Sequence, residues 1–383
     1  MIDFSLTEEQ KALQEMAREF ALKEMRPKAA KYDRGDEFSE DVMQKAFEVG
    51  FLTCTIPTEY EGGGLSDVDT VIISEELAAG CAGMYTTMMV NALAYTPIIL
   101  YGTDEQKKKY LTPQTKKMSF AAFCLTEREA GSDAGSLKTK AKKVGNEYII
   151  NGAKCFISNA AIASQYVVFA LTEPDKGARG MSAFIVPRET PGLSIGKEED
   201  KMGHRASNTA EVIFEDVKVP AENLLGKEGI GFIIALKTLD RTRAPVGAAG
   251  VGVARTALEY AVEYSKTRVQ FGKPIALFQN NAFKIAQMAM EINAARLLVW
   301  HAAWLMDKEL PCGKESAMAK AYGSDVAMRV TTEAVQILGG YGYMRDYPME
   351  KLMRDAKLLQ IYEGTNEIQR LVISREVIGR IKT

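Results

Sequence analysis

The spacing of apolar residues predicts helices along the N-terminal third of the chain. The first helix begins after Thr7, which together with Gln10 has the pattern of a capping box. Apolar residues then recur every three or four positions, and Pro27 is expected to bend or end this helix. Helices are also predicted over 39–49, which ends at a glycine, and over 66–79, which begins at a serine.

The pattern changes near Met118, where short runs rich in β-branched and aromatic residues replace the helical period. Glycine, proline, asparagine and aspartate separate these runs, which is typical of a small antiparallel sheet. We therefore expect a middle β domain. The four clearest runs are Tyr148–Gly152, Tyr166–Ala170, Ser182–Val186 and Ala210–Phe214.

The helical period returns after Gly226 and predicts an antiparallel bundle. Turn residues such as those of 271–274 separate long periodic segments with short connections. The predicted segments are 229–268, 278–309, 314–338 and 348–381. The expected domains are 1–118, 119–226 and 227–383.

Composition and charge narrow the classes of function. Hydrophobic residues make up 46% of the chain and charged residues 26%, as in ordinary globular proteins. The net charge of -2 disfavours a dedicated nucleic-acid binder. The two histidines, His204 and His301, do not have the spacing of metal ligands, so neither a histidine-rich metal site nor a Ser-His-Asp triad is expected.

Cysteine usage and the N-terminal sequence indicate a cytoplasmic protein, with a mature protein of the mitochondrial matrix as the alternative. The five cysteines are scattered and form no CxxC motif, which fits a reducing compartment. The first residues lack the basic and apolar regions of a signal peptide. The uncharged stretch Leu77–Thr103 is long enough to cross a membrane, but its asparagine, proline and threonines predict a buried helical core instead.

Several segments carry groups that can do chemistry, although each alone is more typical of ordinary structure. The glycines of 250–252 lie in a helical pattern and not after a strand, so they predict helix packing and not a dinucleotide-binding turn. The loop 125–133 is rich in small polar residues, and 240–243 places two arginines beside an aspartate. Glu363 precedes a glycine and Thr365, which can cap the next helix.

Taken together, these segments resemble the acyl-CoA dehydrogenase family over essentially the whole chain. They occur in the order found in the family, and the short- and medium-chain branch, which includes butyryl-CoA dehydrogenases, is the most similar. The segments that carry the resemblance are Leu125–Asp133, Asn151–Asn159, Asp200–Arg205, Phe214–Pro220, Arg268–Gly272, Gln336–Gly340, Met353–Lys357 and Ile361–Arg370.

The resemblance implies a mainly α fold with a central β domain. The expected parts are an N-terminal helical domain, an antiparallel, barrel-like middle β domain and a C-terminal four-helix bundle. This is the layout that the periodicity predicts independently. The resemblance also implies non-covalently bound FAD and a homotetramer built as a dimer of dimers.

The resemblance further implies a reaction. Glu363 matches the base that removes the α-proton of an acyl-CoA thioester, while the flavin N5 takes the β-hydride to give a 2-enoyl-CoA. The backbone N–H of Glu363 and a ribityl hydroxyl of FAD would bind the thioester carbonyl and stabilise the developing enolate. The electrons would pass to an electron-transfer flavoprotein.

Matching positions assign two sets of binding residues, one for the cofactor and one for the substrate. The positions that match FAD contacts, some of them reached from a neighbouring subunit, are Phe123, Leu125, Thr126, Ser132, Phe156, Ile157, Ser158, Arg268, Gln279, Gln336, Gly339, Gly340, Thr365 and Glu367. The positions that match the substrate side are Ser132, Asp240, Arg243, Gly364, Tyr85 and Met89.

A few positions depart from the family pattern. Phe156 and Ser158 stand where many members have tryptophan and threonine, so an aromatic face and a hydroxyl are kept. Arg128 replaces a proline and adds a charge near the mouth of the site. Tyr85 and Met89 are bulky and uncharged where the family lines the acyl tail, so a short, branched or alicyclic acyl group is expected.

Other functions stay open at this stage. The same fold can serve an acyl-CoA oxidase or an enoyl-CoA reductase, and the sequence does not fix the direction of the reaction. A DNA-binding flavoprotein of the same superfamily is disfavoured by the net charge of -2 and by the presence of Glu363. A purely structural helical protein would contain no flavin.

Overall fold

The structure, a computed structural model, describes residues 4–34 and 37–379, and its N-terminal part is helical. The helices there are α1 Glu8–Phe20, α2 Ala29–Tyr32, α3 Glu40–Val49, α4 Asp67–Gly80, α5 Ala82–Tyr101 and α6 Asp104–Tyr110. A π-helical turn at Ala21–Met25 and a 3-10 turn at Arg26–Lys28 connect α1 to α2. Pro27 therefore lies where the helical hydrogen-bond pattern changes.

The predicted helix ends are confirmed by their capping bonds. The Thr7 hydroxyl accepts from the N–H of Gln10 at 3.2 Å, and the Gln10 side chain accepts from the N–H of Thr7 at 3.1 Å. Ser66 and Asp69 form the same reciprocal pair at the start of α4. Helix α3 ends at Gly50, whose φ of 92° only glycine adopts easily.

The uncharged stretch forms the end of α4 and all of α5, and it is buried as expected. Almost every side chain of α5 from Ala82 to Ile98 is shielded by the sheet and the C-terminal helices. Within the described residues, no helix is long and apolar enough to cross a membrane.

The middle β domain is confirmed as one eight-stranded sheet, which stays open instead of closing into a barrel. Its strands are β1 Phe120–Cys124, β2 Lys140–Val144, β3 Glu147–Ser158, β4 Ala163–Leu171, β5 Met181–Pro187, β6 Leu193–Glu198, β7 Thr209–Pro220 and β8 Leu224–Leu225. The order is β6-β7-β3-β2-β4-β5-β8, with β1 beside β4. We expected an antiparallel sheet, but β1 pairs with β4 in parallel, because the β2–β3 hairpin supplies the long crossover that parallel neighbours need.

The C-terminal part is helical, with three long helices and a fourth that is interrupted. Its elements are α7 Gly231–Thr267, β9 Val269–Gln270, β10 Lys273–Pro274, α8 Gln279–Asp307, α9 Gly313–Leu338, α10 Gly340–Tyr343, α11 Met349–Leu359 and α12 Asn366–Ile378. The predicted single segment 348–381 is wrong, because left-handed residues at 363 and 364 break it into α11 and α12. Positions 380–381 of that prediction lie outside the described residues.

Glycines allow α7 to approach its neighbours closely, as predicted for 250–252. A Cβ at Gly250 would lie 2.5 Å from the carbonyl oxygen of Gly323 in α9. A Cβ at Gly252 would lie 2.1 Å from the carbonyl oxygen of Glu75 in α4. Both distances are shorter than any van der Waals contact, so these glycines are packing residues.

Buried amides fix α5 to the sheet. Asn91 donates to Ser119 O at 3.1 Å and accepts from the N–H of Ala121 at 2.9 Å. Asn159, at the end of β3, donates to Thr87 O at 3.0 Å. Helix α5 is therefore held between the sheet and the C-terminal helices.

Candidate active site

Glu363 lies in the break between α11 and α12, in a turn of unusual conformation. Glu363 has φ 51° and Gly364 has φ 91°. The side-chain amide of Gln369 donates to Glu363 O at 3.1 Å and to Gly364 O at 2.9 Å, and Thr365 caps α12. A left-handed glutamate is costly and persists only where its surroundings hold it, which is common at functional sites.

The carboxyl end of Glu363 is enclosed, although the residue as a whole is only half-buried. The hydroxyl of Thr242 donates to Oε2 at 2.6 Å, while Oε1 is buried without a hydrogen-bond partner among the described residues. Burial raises the pKa of Glu363 to about 7, against the Thr242 hydrogen bond and the cations of Lys320 and Arg243, which lower it. The group can therefore change its protonation state near neutral pH.

Two of the cations near Glu363 are themselves buried. Arg243 is 3% exposed and lies 2.9 Å from Asp240 Oδ1, so 240–243 is not an ordinary solvated helix face. Burial lowers the pKa of Arg243, whereas Asp240 and Glu363 raise it. Lys320 is fully buried, and burial lowers its pKa to about 7.

Helix α5 presents Tyr85 to the same region. Tyr85 is 3% exposed, and its hydroxyl donates to Pro245 O at 3.3 Å. Burial raises the pKa of Tyr85, and nearby Tyr362 and Glu363 raise it further. Met89, one turn along α5, is buried in the same apolar core. The structure therefore places Tyr85 near Glu363.

The middle domain reaches the turn through His204. Its Nε2 lies 3.0 Å from Asp355 O, which can only accept, so Nδ1 of the neutral ring accepts from the Thr86 hydroxyl at 2.9 Å. The His204 ring packs edge-on against Tyr362 with 6.0 Å between centroids. Burial lowers the pKa of His204, which fits the neutral ring. The residue before Glu363 therefore contacts the middle domain.

A second group of predicted residues lies together on the middle domain. The N–H of Cys155 donates to Thr126 O at 3.0 Å, and the pairing of β3 with β7 shifts register between Lys154 and Ile157. This bulge turns the Phe156 ring outward, where it is 64% exposed with φ 57°. The structure thus places the loop that contains Thr126 beside Phe156.

The other residues of this middle-domain group differ in exposure. Leu125 and Ile157 are buried, Ser158 is half-buried, and Ser132 is exposed. Phe123 is half-buried and packs on Phe169 with 4.9 Å between ring centroids.

A third group of predicted residues lies on the exposed surface of the C-terminal helices. Arg268 lies over the ring of Tyr341, 5.9 Å from its centroid. A Cβ built on Gly339 or Gly340 would meet open space. The exposed members are Arg268, Gln279, Gln336, Gly339, Gly340 and, at the start of α12, Glu367. No contact between described residues joins this group to Phe156.

Arg128 has a simple structural role. Its guanidinium lies 3.1 Å from Glu211 Oε1 on β7, and its side chain is 85% exposed. The extra charge at this position therefore forms a surface ion pair.

Sequence reasoning missed several residues of the site. Thr242 and Lys320 contact the Glu363–Gly364 turn from other helices. Lys154 donates a hydrogen bond to Leu125 O in the loop that contains Thr126. A lysine among alanines, as at Lys320, is the available signal, because charged residues seldom occupy an apolar helix face. Among the described residues, no group of three or more His, Cys, Asp or Glu could hold a metal ion.

Comparison with known proteins identifies relatives over the full described fold. The acyl-CoA dehydrogenase N-terminal domain matches residues 7–117, the middle domain 122–217 and the C-terminal domain 229–378. The chain is 50% identical over 381 residues to an acryloyl-CoA reductase (NADH) from Anaerotignum propionicum, a match that covers 99% of this chain and 97% of the relative.

Two solved structures are also closely similar. One is the butyryl-CoA dehydrogenase of Megasphaera elsdenii, with 44% identity, a TM-score of 0.96 and coverage of 99% of this chain and 100% of that chain. The other is a chain from a structural study of the electron transferring flavoprotein of Acidaminococcus fermentans, with 48% identity, a TM-score of 0.97 and the same coverage. The chain therefore belongs to the acyl-CoA dehydrogenase family, whose members are FAD-dependent oxidoreductases acting on CH–CH groups.

Proposed function

We propose that this protein is an FAD-dependent acyl-CoA dehydrogenase in which Glu363 removes the α-proton of a short acyl-CoA thioester. The state of the Glu363 carboxyl group carries the proposal. Thr242 holds one oxygen, the other is buried without a partner among the described residues, and the pKa is raised to about 7. Such a group is ionised in part near neutral pH and is more basic than an exposed carboxylate.

The chain's own groups orient the proposed reaction. Thr242 fixes Oε2, so Oε1 is the atom that accepts the proton. We propose that the N–H of Glu363 binds the thioester carbonyl and stabilises the enolate charge as it develops. A bound acyl group would exclude water and strengthen the base further. Bound FAD supplies the acceptor for the β-hydride.

The residues of the middle domain fit a flavin ring. Phe156 offers an aromatic face that is 64% exposed, and Ser158 supplies a hydroxyl two residues along the strand. The adjoining loop contributes Thr126, whose carbonyl oxygen accepts from the N–H of Cys155. A flat apolar face beside convergent polar groups suits a tricyclic, hydrogen-bonding ligand. We therefore propose that 123–132 and 156–158 hold the isoalloxazine ring.

We propose that CoA binds through a separate set of residues. Ser132, Asp240, Arg243 and Gly364 remain the proposed contacts. Because Arg243 is buried and bound to Asp240, it would act from inside the site and not as a free surface cation.

We propose that a second copy of the chain completes the cofactor site, and the exposed C-terminal group of residues supports this proposal. Helix α8 carries exposed apolar residues at every seventh position, which places them on one side of the helix. These residues are Phe283, Met290, Leu297 and Trp304. We propose that this face packs against another copy in a homotetramer, and that Arg268, Gln279, Gln336, Gly339 and Gly340 bind the adenosine end of FAD.

A charge on the α8 face tests the assembly. Met290→Asp should yield a smaller species in light scattering coupled to gel filtration, because a carboxylate cannot be buried there unpaired. Val144→Asp, a similar change at an exposed apolar position of β2, is the control and should leave the mass unchanged. An unchanged mass for Met290→Asp would contradict this interface.

Tyr85 and Met89 favour a short acyl group. Both side chains are buried where the acyl tail would lie, and the similar proteins include enzymes named for butyryl-CoA and acryloyl-CoA. The 50% identity to an acryloyl-CoA reductase makes enoyl-CoA reduction the second candidate function. Anaerobic bleaching of the flavin by straight, branched and cyclic acyl-CoAs would identify the substrate. Reoxidation by electron-transfer flavoprotein, NAD or oxygen would identify the acceptor and the direction.

We propose an electron-transfer flavoprotein as the redox partner, supported by the related chain in the Acidaminococcus fermentans study. We also propose a cytoplasmic location, in line with the bacterial relatives, and domain boundaries near 118 and 226.

Replacement of the base tests the proposed function directly. Glu363→Gln should retain FAD, seen in its visible spectrum, while turnover falls by about 10²- to 10⁴-fold or more. Glu376→Gln, an exposed change in α12, is the control. Near-normal turnover by Glu363→Gln would place the base elsewhere and refute the proposal.

A further inference from the structure

Lys320 is a fully buried lysine of α9 whose ammonium group reaches the turn that carries Glu363. Its Nζ donates to Gly364 O at 2.8 Å and to Asn366 Oδ1 at 2.9 Å. Ser324, one turn further along α9, also donates to Asn366 Oδ1 at 3.2 Å. The ammonium therefore joins α9 to the main chain of the turn and to the first residue of α12.

The surroundings make this an expensive position for a charge. Ala317, Ala319 and Ala321 are close in sequence and buried, so an apolar side chain would satisfy the packing of α9. An ammonium instead loses its hydration on folding, and its two acceptors are neutral groups. A buried cation retained at such a cost calls for a role beyond packing.

The turn needs support of this kind. Glu363 and Gly364 are both left-handed, with φ 51° and 91°. Gly364 O accepts hydrogen bonds from Lys320 in α9 and from Gln369 in α12. These two donors fix the carbonyl that follows Glu363, and thereby limit rotation of the turn.

Two of the other charges in the region are already paired. Arg243 is neutralised by Asp240 at 2.9 Å, and Asp325 by Arg370 at 2.6 Å. Lys320 has no carboxylate within ion-pair distance among the described residues, so no directly bonded counter-ion neutralises its charge, although Asp325 and Glu367 attract it as Glu363 does. The titratable and charged groups that face this pair, from α5, α7, α9, α12 and the turn itself, are Tyr85, Asp240, Arg243, Asp325, Glu367 and Tyr362.

We propose that Lys320 is a positioning residue of the active site: it holds the Glu363–Gly364 turn through Gly364 O, and its charge favours the carboxylate form of Glu363. The inference rests on the proposed role of Glu363 as the base. Lys320 itself touches neither substrate nor flavin in this proposal.

Two substitutions in the holoenzyme separate the charge from the hydrogen bond. Lys320→Met removes both, whereas Lys320→Gln removes the charge and keeps a donor for Gly364 O. The acid limb of kcat/KM against pH reports the protonation of Glu363 in the free enzyme. It should move to higher pH by at least about one unit in both variants, because an opposite charge nearby stabilises a carboxylate by this amount or more. The plateau of kcat should fall further in Lys320→Met than in Lys320→Gln.

Ser324→Ala is the matched control, because it removes a neutral hydrogen bond of the same cluster. Its acid limb should coincide with that of the unmodified enzyme. Coincident limbs for the Lys320 variants, in preparations with a normal flavin spectrum, would overturn the inference. If Lys320→Met does not fold, the position of the acid limb of Lys320→Gln tests the inference alone.

The outcome also separates this inference from the proposed function. If Glu363→Gln is inactive and the Lys320 variants keep the normal pH profile, only the role of Lys320 is refuted. If Glu363→Gln turns over normally, the assignment of the base fails, and the inference fails with it.

Discussion

The buried ion pair of Lys154 and Glu127 lies beneath the loop that we propose holds the flavin. Lys154 Nζ is 2.8 Å from Glu127 Oε1 and 3.0 Å from Leu125 O. The Glu127 carboxylate also accepts from the N–H groups of Lys138 at 2.5 Å and Thr139 at 3.0 Å. Because Lys154 is fully buried, Lys154→Met would leave this carboxylate buried with backbone donors alone. Breaking one partner of a buried pair costs ~3–5 kcal/mol in the free energy of unfolding.

The assay compares single and double variants. Lys154→Met should have a lower free energy of unfolding in denaturant titrations followed by circular dichroism. If ~1.4 kcal/mol of this loss destabilises the conformation of the loop that binds FAD, the variant should also bind FAD about tenfold more weakly. The double variant Glu127→Gln with Lys154→Met should lose less, because it leaves no unpaired charge and the glutamine carbonyl oxygen still accepts one of the two amide N–H groups. Lys142→Met, at an exposed position of β2, is the control.

The pH dependence has a definite sign. Burial raises the pKa of Glu127, but Lys154 and the N–H donors together hold it below the usual 4.5. The contribution of the pair is therefore present above pH 4.5 and is lost as the pH falls through the folded-state pKa. The deficit of Lys154→Met should shrink in acid. A Lys154→Met variant with the stability and FAD affinity of Lys142→Met would refute the reasoning.

Three further predictions concern single residues. Thr242→Val should move the acid limb of kcat/KM to higher pH by about one to two units, because a hydrogen bond to a carboxylate contributes ~1.5–3 kcal/mol, whereas Thr238→Val, whose hydroxyl bonds to its own helix, should not. Glu76 is 1% exposed, and its arginine partners lower its pKa although burial opposes this. Glu76→Gln should therefore reduce the thermal midpoint at neutral pH, and below pH 4.5 the stability of the variant should fall less than that of the unmodified protein. Tyr85→Ala should raise the ratio of kcat/KM for hexanoyl-CoA to kcat/KM for butyryl-CoA by about tenfold or more, measured in steady-state assays. An unchanged ratio would place the acyl pocket elsewhere.

Local signals in the sequence were sufficient for most of the helices and for the domain layout. The capping box at Thr7 and the serine at 66 mark helix starts through bonds that span only three residues. Periodicity missed the interrupted helix because it continues on both sides of Glu363, whereas Gly364 and the capping residue Thr365 already indicated the start of a new helix. The parallel pairing of β1 was missed because strand order depends on contacts distant in sequence.

The candidate base and Arg243 were predicted from the family resemblance, but two other residues that set the properties of the base were not. Thr242 and Glu363 are 121 residues apart in the chain, and Lys320 and Gly364 are 44 apart. No short motif joins such positions. Their proximity follows from how closely the helices pack, which the sequence indicates only through the glycines of α7.

Those glycines connect the packing of the helices to the chemistry of the site. Gly250 and Gly323 allow α7 and α9 to approach until an added Cβ would lie 2.5 Å from a carbonyl oxygen. Thr242 belongs to α7 and Lys320 to α9, and both reach the Glu363–Gly364 turn by bonds of 2.6 and 2.8 Å. A wider spacing of the two helices would lengthen at least one of these bonds, because a single turn cannot follow two separating helices. Because Gly250 and Gly323 have no side chain, α7 and α9 can bring Thr242 and Lys320 to the turn. These two glycines therefore contribute to the basicity of Glu363, although we propose no contact between them and substrate or cofactor.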